Sequence, residues 1–314
     1  MSKPKCPWSL RDYYLRPTVY SLQSAASPIR QSLIDNRQSP SSMVATLLYS
    51  IAGGMLSILA TARVEQIAWK FLRFMGFVVL ALSSGVTIWM YRSATSPPNE
   101  ATMSMIGLGV LAALGAVFVV LFSPIAGRWS RSFRVICGLL GAAGVAAASL
   151  SAVGNLRAGA DARPLLPSAI PLVILGQVLS ALMLGSITVA WLLGHAYLTA
   201  TKMTIAPLRH FSRMLSWTVA VRILFMLVGL VIAWQAQGGG NAPIFRQLAH
   251  SWLIVVLRVG VGLLAVAVFA YMVADCVRLR STQSATGILY FGSVMAYVGE
   301  LASRQLIYEL GWPV

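Results

Sequence analysis

Charge is scarce in this chain, and negative charge scarcer still: 10% of its 314 residues are charged and only 8 are Asp or Glu. A soluble domain carries about 25% charged residues, so a water-facing globular surface is excluded for most of the chain. The sequence also lacks a phosphate-cradling glycine loop, a metal-ligand cluster and a nucleophile–base arrangement. No cofactor is therefore encoded, and catalysis by this chain on its own is not expected. The three cysteines, Cys6, Cys137 and Cys276, are far apart and lack metal or redox spacing, so they read as isolated thiols. Residues 1–41 hold no apolar core segment, and no cleavable signal peptide is expected. Position 2 is not Gly and the C-terminus reads GWPV, which matches no lipidation signal.

Hydrophobic residues make up 58% of the chain. They fall into eight runs of about 20 residues, the length a helix needs to cross a hydrocarbon core of about 30 Å. The runs lie at 43–62, 74–91, 103–122, 135–154, 168–193, 217–234, 252–274 and 285–303. They are continuous, where a membrane β-barrel would alternate apolar with polar residues in shorter segments. The expected fold is all-α, a polytopic transmembrane helix bundle of about eight spans. A polar basic tail (1–41) precedes the membrane domain (42–304), and a short C-terminal tail (305–314) follows it. In the N-terminal tail, WSLRDYYLRPTVYSL places aromatic and aliphatic residues between basic ones, which suits a segment lying on headgroups or a disordered tail. Span four is rich in Gly and Ala, and is expected to be a packing helix surrounded by protein. No repeat relates the two halves, which weakens an inverted-repeat transporter reading.

On a soluble protein, a formal charge of +16 would point to nucleic acid. Here Lys and Arg collect in loops, where anionic headgroups and resistance to translocation account for them, so the expected partner is the lipid bilayer and not nucleic acid. The loops after spans one, three, five and seven hold eleven Lys or Arg, and those after spans two, four and six hold four. Short-loop charge thus places the first set on the cytoplasmic side of an inner membrane and both termini outside. Six basic residues in the N-terminal tail argue for the opposite orientation.

Polar groups within spans carry the functional expectation, because dehydrating a charge at mid-helix costs about 2.5–3.5 kcal/mol. In GELASRQLIYEL, Glu300 and Arg304 stand four residues apart with the acid first, the favourable order for a pair on one helix face. They are expected to neutralise each other, either as a structural pair or as a proton-exchange and headgroup-holding site that Tyr308, one turn on, extends. Arg258 lies six residues inside Trp252, and Arg222 five inside Trp217. Snorkelling to headgroups is the simpler expectation for both. If span seven runs inward, Arg258 shares a leaflet with Glu300 and the two form a polar pocket. Gln177, Ser180, Ser186 and Thr188 in span five line a path or bond between helices.

His195, His210 and His250 do not suit haem ligation: His195 and His250 fall on opposite surfaces, and His195 and His210 are both interfacial. His195, Lys202, Arg209 and His210 form a candidate interfacial polar site. Its basic residues either receive an acidic partner subunit or fix topology.

Eight spans, outward termini and Gly299-Glu300 followed by Arg304 on the last span together resemble the membrane-anchor subunits of dimethyl sulfoxide reductase and polysulfide reductases. The resemblance covers the general layout and about a dozen residues of local sequence. It implies a quinol-binding anchor beneath soluble iron–sulfur and molybdenum subunits, with a bound quinone near Glu300 and Arg304. The other quinol-site residues of that family have no counterpart that can be placed on this chain. Three functions therefore stand side by side: a quinol-interacting or anchoring subunit of an electron-transfer complex, a small-solute transporter, and a membrane scaffold.

Overall fold

A computed structural model describes residues 40–93, 100–158, 169–199, 204–236 and 248–310. The N-terminal tail and Lys202 lie outside the described residues. Among those described there are eight long helices and no strand: α1 (Pro40–Thr61), α2 (Trp69–Ser93), α3 (Glu100–Phe122), α4 (Ser130–Ala158), α5 (Ala169–Thr199), α6 (Ala206–Ala236), α7 (Trp252–Arg278) and α8 (Thr282–Leu310). Each contains a stretch long and apolar enough to cross a membrane, which makes the chain an integral, multi-pass membrane protein. Helices are the form open to such segments, because in hydrocarbon every backbone N–H and C=O must find its partner within the span.

Each helix outruns, at one end or both, the apolar stretch that marks it in the sequence, and α6 and α8 do so by the most. α6 starts at Ala206, eleven residues before the apolar run at 217. Pro207 in its first turn suits a helix start, and Leu208, Phe211, Leu215 and Val219 are buried at helical spacing. α8 continues to Leu310, and its residues 302–304, 306 and 307 are buried, so protein contacts extend it beyond the apolar run that ends at 303. Between α7 and α8 the chain turns through Arg280 in the left-handed region (φ 60°). There the Ser281 N–H donates to the Cys276 carbonyl at 2.9 Å, closing the last turn of α7.

The helix most enclosed by protein is α1, with 72% of its span buried against 50% for α4. That corrects the expectation that the Gly/Ala-rich fourth span is the surrounded one. Small residues line only one face of α4, whose Val135, Leu139 and Leu150 are exposed. The adjacent glycines Gly53 and Gly54 let α1 approach two neighbours at once. A Cβ on Gly53 would sit 2.6 Å from the Val145 nitrogen of α4, and one on Gly54 would sit 1.9 Å from the Ala181 carbonyl oxygen of α5. A hydroxyl pair ties the α1–α4 interface, Thr46 to Ser151 at 2.7 Å, and a second joins α5 to α8, Thr188 to Tyr297 at 2.9 Å. Outward faces are apolar: Leu121, Leu139, Leu224, Val268 and Phe291 are all more than half exposed, a surface suited to lipid.

α7 is α-helical over Trp252–Val256, π-helical over Leu257–Ala265 and α-helical again over Val266–Arg278. Its buried positions Arg258, Gly262, Val266 and Ala270 repeat every four residues. In an α-helix each such step would drift about 40° around the axis. The step from Val266 to Ala270 is α-helical, and the wider π turn takes up the drift from Arg258 through Gly262 to Val266, so Arg258 stays pointed inward.

Candidate functional site

The buried charged residues among those described are four: Arg222, Arg258, Glu300 and Arg304. All four meet at one point, where α1, α5, α6, α7 and α8 converge. Glu300 is at the centre. Arg258 donates through Nη1 to its Oε1 at 2.7 Å, and Arg222 donates through Nε and Nη2 to its two oxygens, both at 3.3 Å. The Ser180 hydroxyl donates to Oε2 at 2.6 Å. Arg304 is the most distant ionic partner, at 3.6 Å.

The same-helix pair expected from the sequence is therefore the longest of three ionic contacts, and the shortest crosses from α8 to α7. Arg304 turns elsewhere: Nη1 donates to the Glu300 backbone carbonyl at 3.0 Å, and Nη2 donates to Ser50 of α1 at 2.9 Å. Weaker contacts join its Nη2 to Gln177 at 3.5 Å and to Ser180 at 3.4 Å, so both span-five residues bond between helices. Tyr308 lies one turn beyond Arg304 and is half-buried.

Glycine sets the spacing of the two helices that hold the shortest contact. A Cβ on Gly299 would lie 2.0 Å from Gly262 Cα, and one on Gly262 would lie 2.4 Å from Gly299 Cα. α7 and α8 thus touch backbone to backbone, one turn from Arg258 and one residue from Glu300. Gly176 does similar work on α5, where a Cβ would stand 3.2 Å from the Phe225 ring and 3.5 Å from Arg222 Nη1. The Arg222 guanidinium lies 5.7 Å from the Phe225 ring centroid, within reach of a cation–π contact.

Snorkelling fails for both arginines: Arg258 is 0% and Arg222 2% exposed. Arg222 misleads because α6 begins at Ala206, so this residue is near the middle of its helix and headgroups are out of reach. Pro207, in the first turn, is the sequence signal that could have marked that start. Ser50 had no signal of its own, since a Ser in an apolar run is ordinary.

The charges do not balance. With ionised side chains the cluster holds three guanidiniums and one carboxylate, a formal +2. Each buried charge costs about 2.5–3.5 kcal/mol to place in a membrane, and a single Arg–Glu pair would suffice for a structural tie. Donors are also left over. Among the described residues, Arg258 Nε and Nη2 and Arg304 Nε have no hydrogen-bond partner. The Nε and Nη2 hydrogens of one guanidinium leave by the same edge, the fork that grips two oxygens of a carboxylate or phosphate. The arrangement can hold an oxyanion.

The other candidate residues lie elsewhere. Arg209 and His210 line a cleft at the surface that carries the α1–α2, α3–α4 and α5–α6 connections, and His195 is exposed near the end of α5. The histidine nitrogen Nε2 of His210 shares a hydrogen bond with Thr61 at 3.2 Å. No group of three or more metal-ligating side chains occurs among the described residues. The chain matches no protein-family model, no curated protein and no solved structure, so its chemistry is read from the site itself.

Proposed function

We propose that this protein is an inner-membrane carrier of small oxyanions, such as carboxylates, with the cluster of Arg222, Arg258, Arg304 and Glu300 as its binding site. The observation that carries the reading is the surplus of buried positive charge, which includes an unpartnered guanidinium edge on Arg258. An anion entering there neutralises part of the +2 and takes the free N–H donors. Ionisable residues deep in a membrane bundle mark solute and ion pathways.

Release from so enclosed a site requires helix movement. The π-helical stretch that bears Arg258 supports this, because π segments recur at functional sites and their hydrogen bonding is readily rearranged. Glu300 acts as a resident competitor: it occupies part of each guanidinium and keeps the site from holding its anion too tightly. Short-loop charge supports a cytoplasmic position for the α1–α2, α3–α4, α5–α6 and α7–α8 connections and outward termini.

The test is flux in proteoliposomes of purified full-length protein loaded at neutral pH with radiolabelled succinate, a dianion that does not cross lipid unaided. Wild type is expected to exchange succinate and Arg258→Met to lose it. An equal rate in Arg258→Met removes the reading. Absent flux, with quinone and redox subunits copurifying, would support the electron-transfer subunit in its place.

A further inference from the structure

A second cationic site lies at the membrane surface, apart from the buried cluster. A cleft of about 420 Å³ opens between the end of α1, the start of α4 and the start of α6, and its volume falls in the range of small-ligand sites. Arg63, Arg134, Arg209 and Arg213 line it together with His210 and Thr61, and no carboxylate is among its lining residues. The nearby Glu65 is turned to the Ser130 side chain, so even with that acid counted the cleft keeps a formal +3. The first turn of α6, at Ala206 and Pro207, borders the cleft and adds the positive end of a 31-residue helix.

Depth selects the kind of anion. Trp69 follows the lining residue Gln66 by three positions and Trp129 precedes Arg134 by five, and both residues are exposed at helix starts on this same surface. Exposed Trp at helix ends marks the headgroup level of a bilayer, and Phe74 and Phe77 carry the exposed apolar face of α2 inward from there. An occupant with a phosphate in the cleft and acyl chains along that face meets both surfaces.

We infer that this cleft binds the phosphate of an anionic phospholipid headgroup. The four guanidiniums supply charge-assisted donors to the phosphate oxygens, and the site differs from the oxyanion cluster in depth, helices and ligand.

Full-length protein in mixed phosphatidylglycerol and phosphatidylcholine vesicles, released into native mass spectrometry, reads the lipids it retains. Wild type is expected to keep phosphatidylglycerol preferentially, and Arg209→Gln with Arg213→Gln to lower that preference about thirtyfold, at about fivefold for each charge near the surface. Arg209→Lys with Arg213→Lys should retain most of it, which separates loss of charge from misfolding. An unchanged preference in the Gln variant overturns the proposal, as does no preference in wild type. Saturation by inorganic phosphate without lipid retention would assign the cleft to a soluble anion, and capture of a hexaglutamate peptide without lipid retention would assign it to an acidic protein. Either result also overturns the lipid.

Discussion

Replacing Glu300 with Gln keeps the side chain's shape and removes the one carboxylate that faces three guanidiniums. Removing one partner of a buried ion pair costs about 3–5 kcal/mol, because the other charge stays buried and uncompensated. Here the orphaned partners are three, Arg222, Arg258 and Arg304, and the cluster's formal charge rises from +2 to +3. The upper end of that range, about 5 kcal/mol, is therefore expected. At about 2–4 °C per kcal/mol for a large domain, the melting temperature should fall by about 10 °C or more. Fluorescence of the nine Trp residues during thermal unfolding in detergent provides the assay, first in a HEPES buffer without small anions and then with acetate. Acetate should recover more of the loss in the variant than it adds to wild type, because an anion gains more from a site at +3. A variant that melts with wild type in both buffers refutes the reasoning, since a carboxylate that balances nothing cannot be the hub of the cluster.

Two further outcomes follow from the same geometry. Gly299→Ala places a Cβ 2.0 Å from Gly262 Cα, and with backbone on both sides α7 must move away from α8. Its cost should exceed the usual overpacking range of about 1–3 kcal/mol, and succinate flux should fall with it, whereas Gly287→Ala, which meets nothing within 4 Å, should leave both unchanged. Glu65 is held below the usual carboxylate range chiefly by the Ser130 side chain, with Arg134 and Arg63 contributing. A depressed folded-state value adds stability above the unfolded value of about 4.3, and that stability is lost as pH falls through the folded value. Glu65→Gln should thus melt slightly below wild type at neutral pH, with the gap closing in acid below about pH 4 and shrinking in high salt, since the group is exposed.

The buried charge cluster was only partly legible. Glu300 and Arg304 stood out because charge is rare in such a chain, and their four-residue spacing suggested a closed pair. That local rule misjudged the contact order, since Arg304 reaches Ser50 across 254 positions of sequence while Glu300 takes its shortest ionic contact from α7. Arg222 was hidden by the apolar run beginning at Trp217. Measured from that run the arginine sits at a membrane edge, and measured from Ala206 it sits near mid-helix. The surplus charge could not be read at all, because it exists only once side chains from α6, α7 and α8 share one carboxylate.

Composition and the length of the apolar runs were enough to establish a helical membrane protein with eight spans, because the bilayer imposes its thickness and its hydrogen-bonding demand on each segment separately. Tertiary structure alone decided which helix stands at the centre, which arginines turn inward, and that three cations meet one anion. Those outcomes depend on how closely helices approach at Gly53, Gly54, Gly262 and Gly299, and on the π turn that aims Arg258. Contacts between distant segments set both, and no single stretch of sequence encodes them.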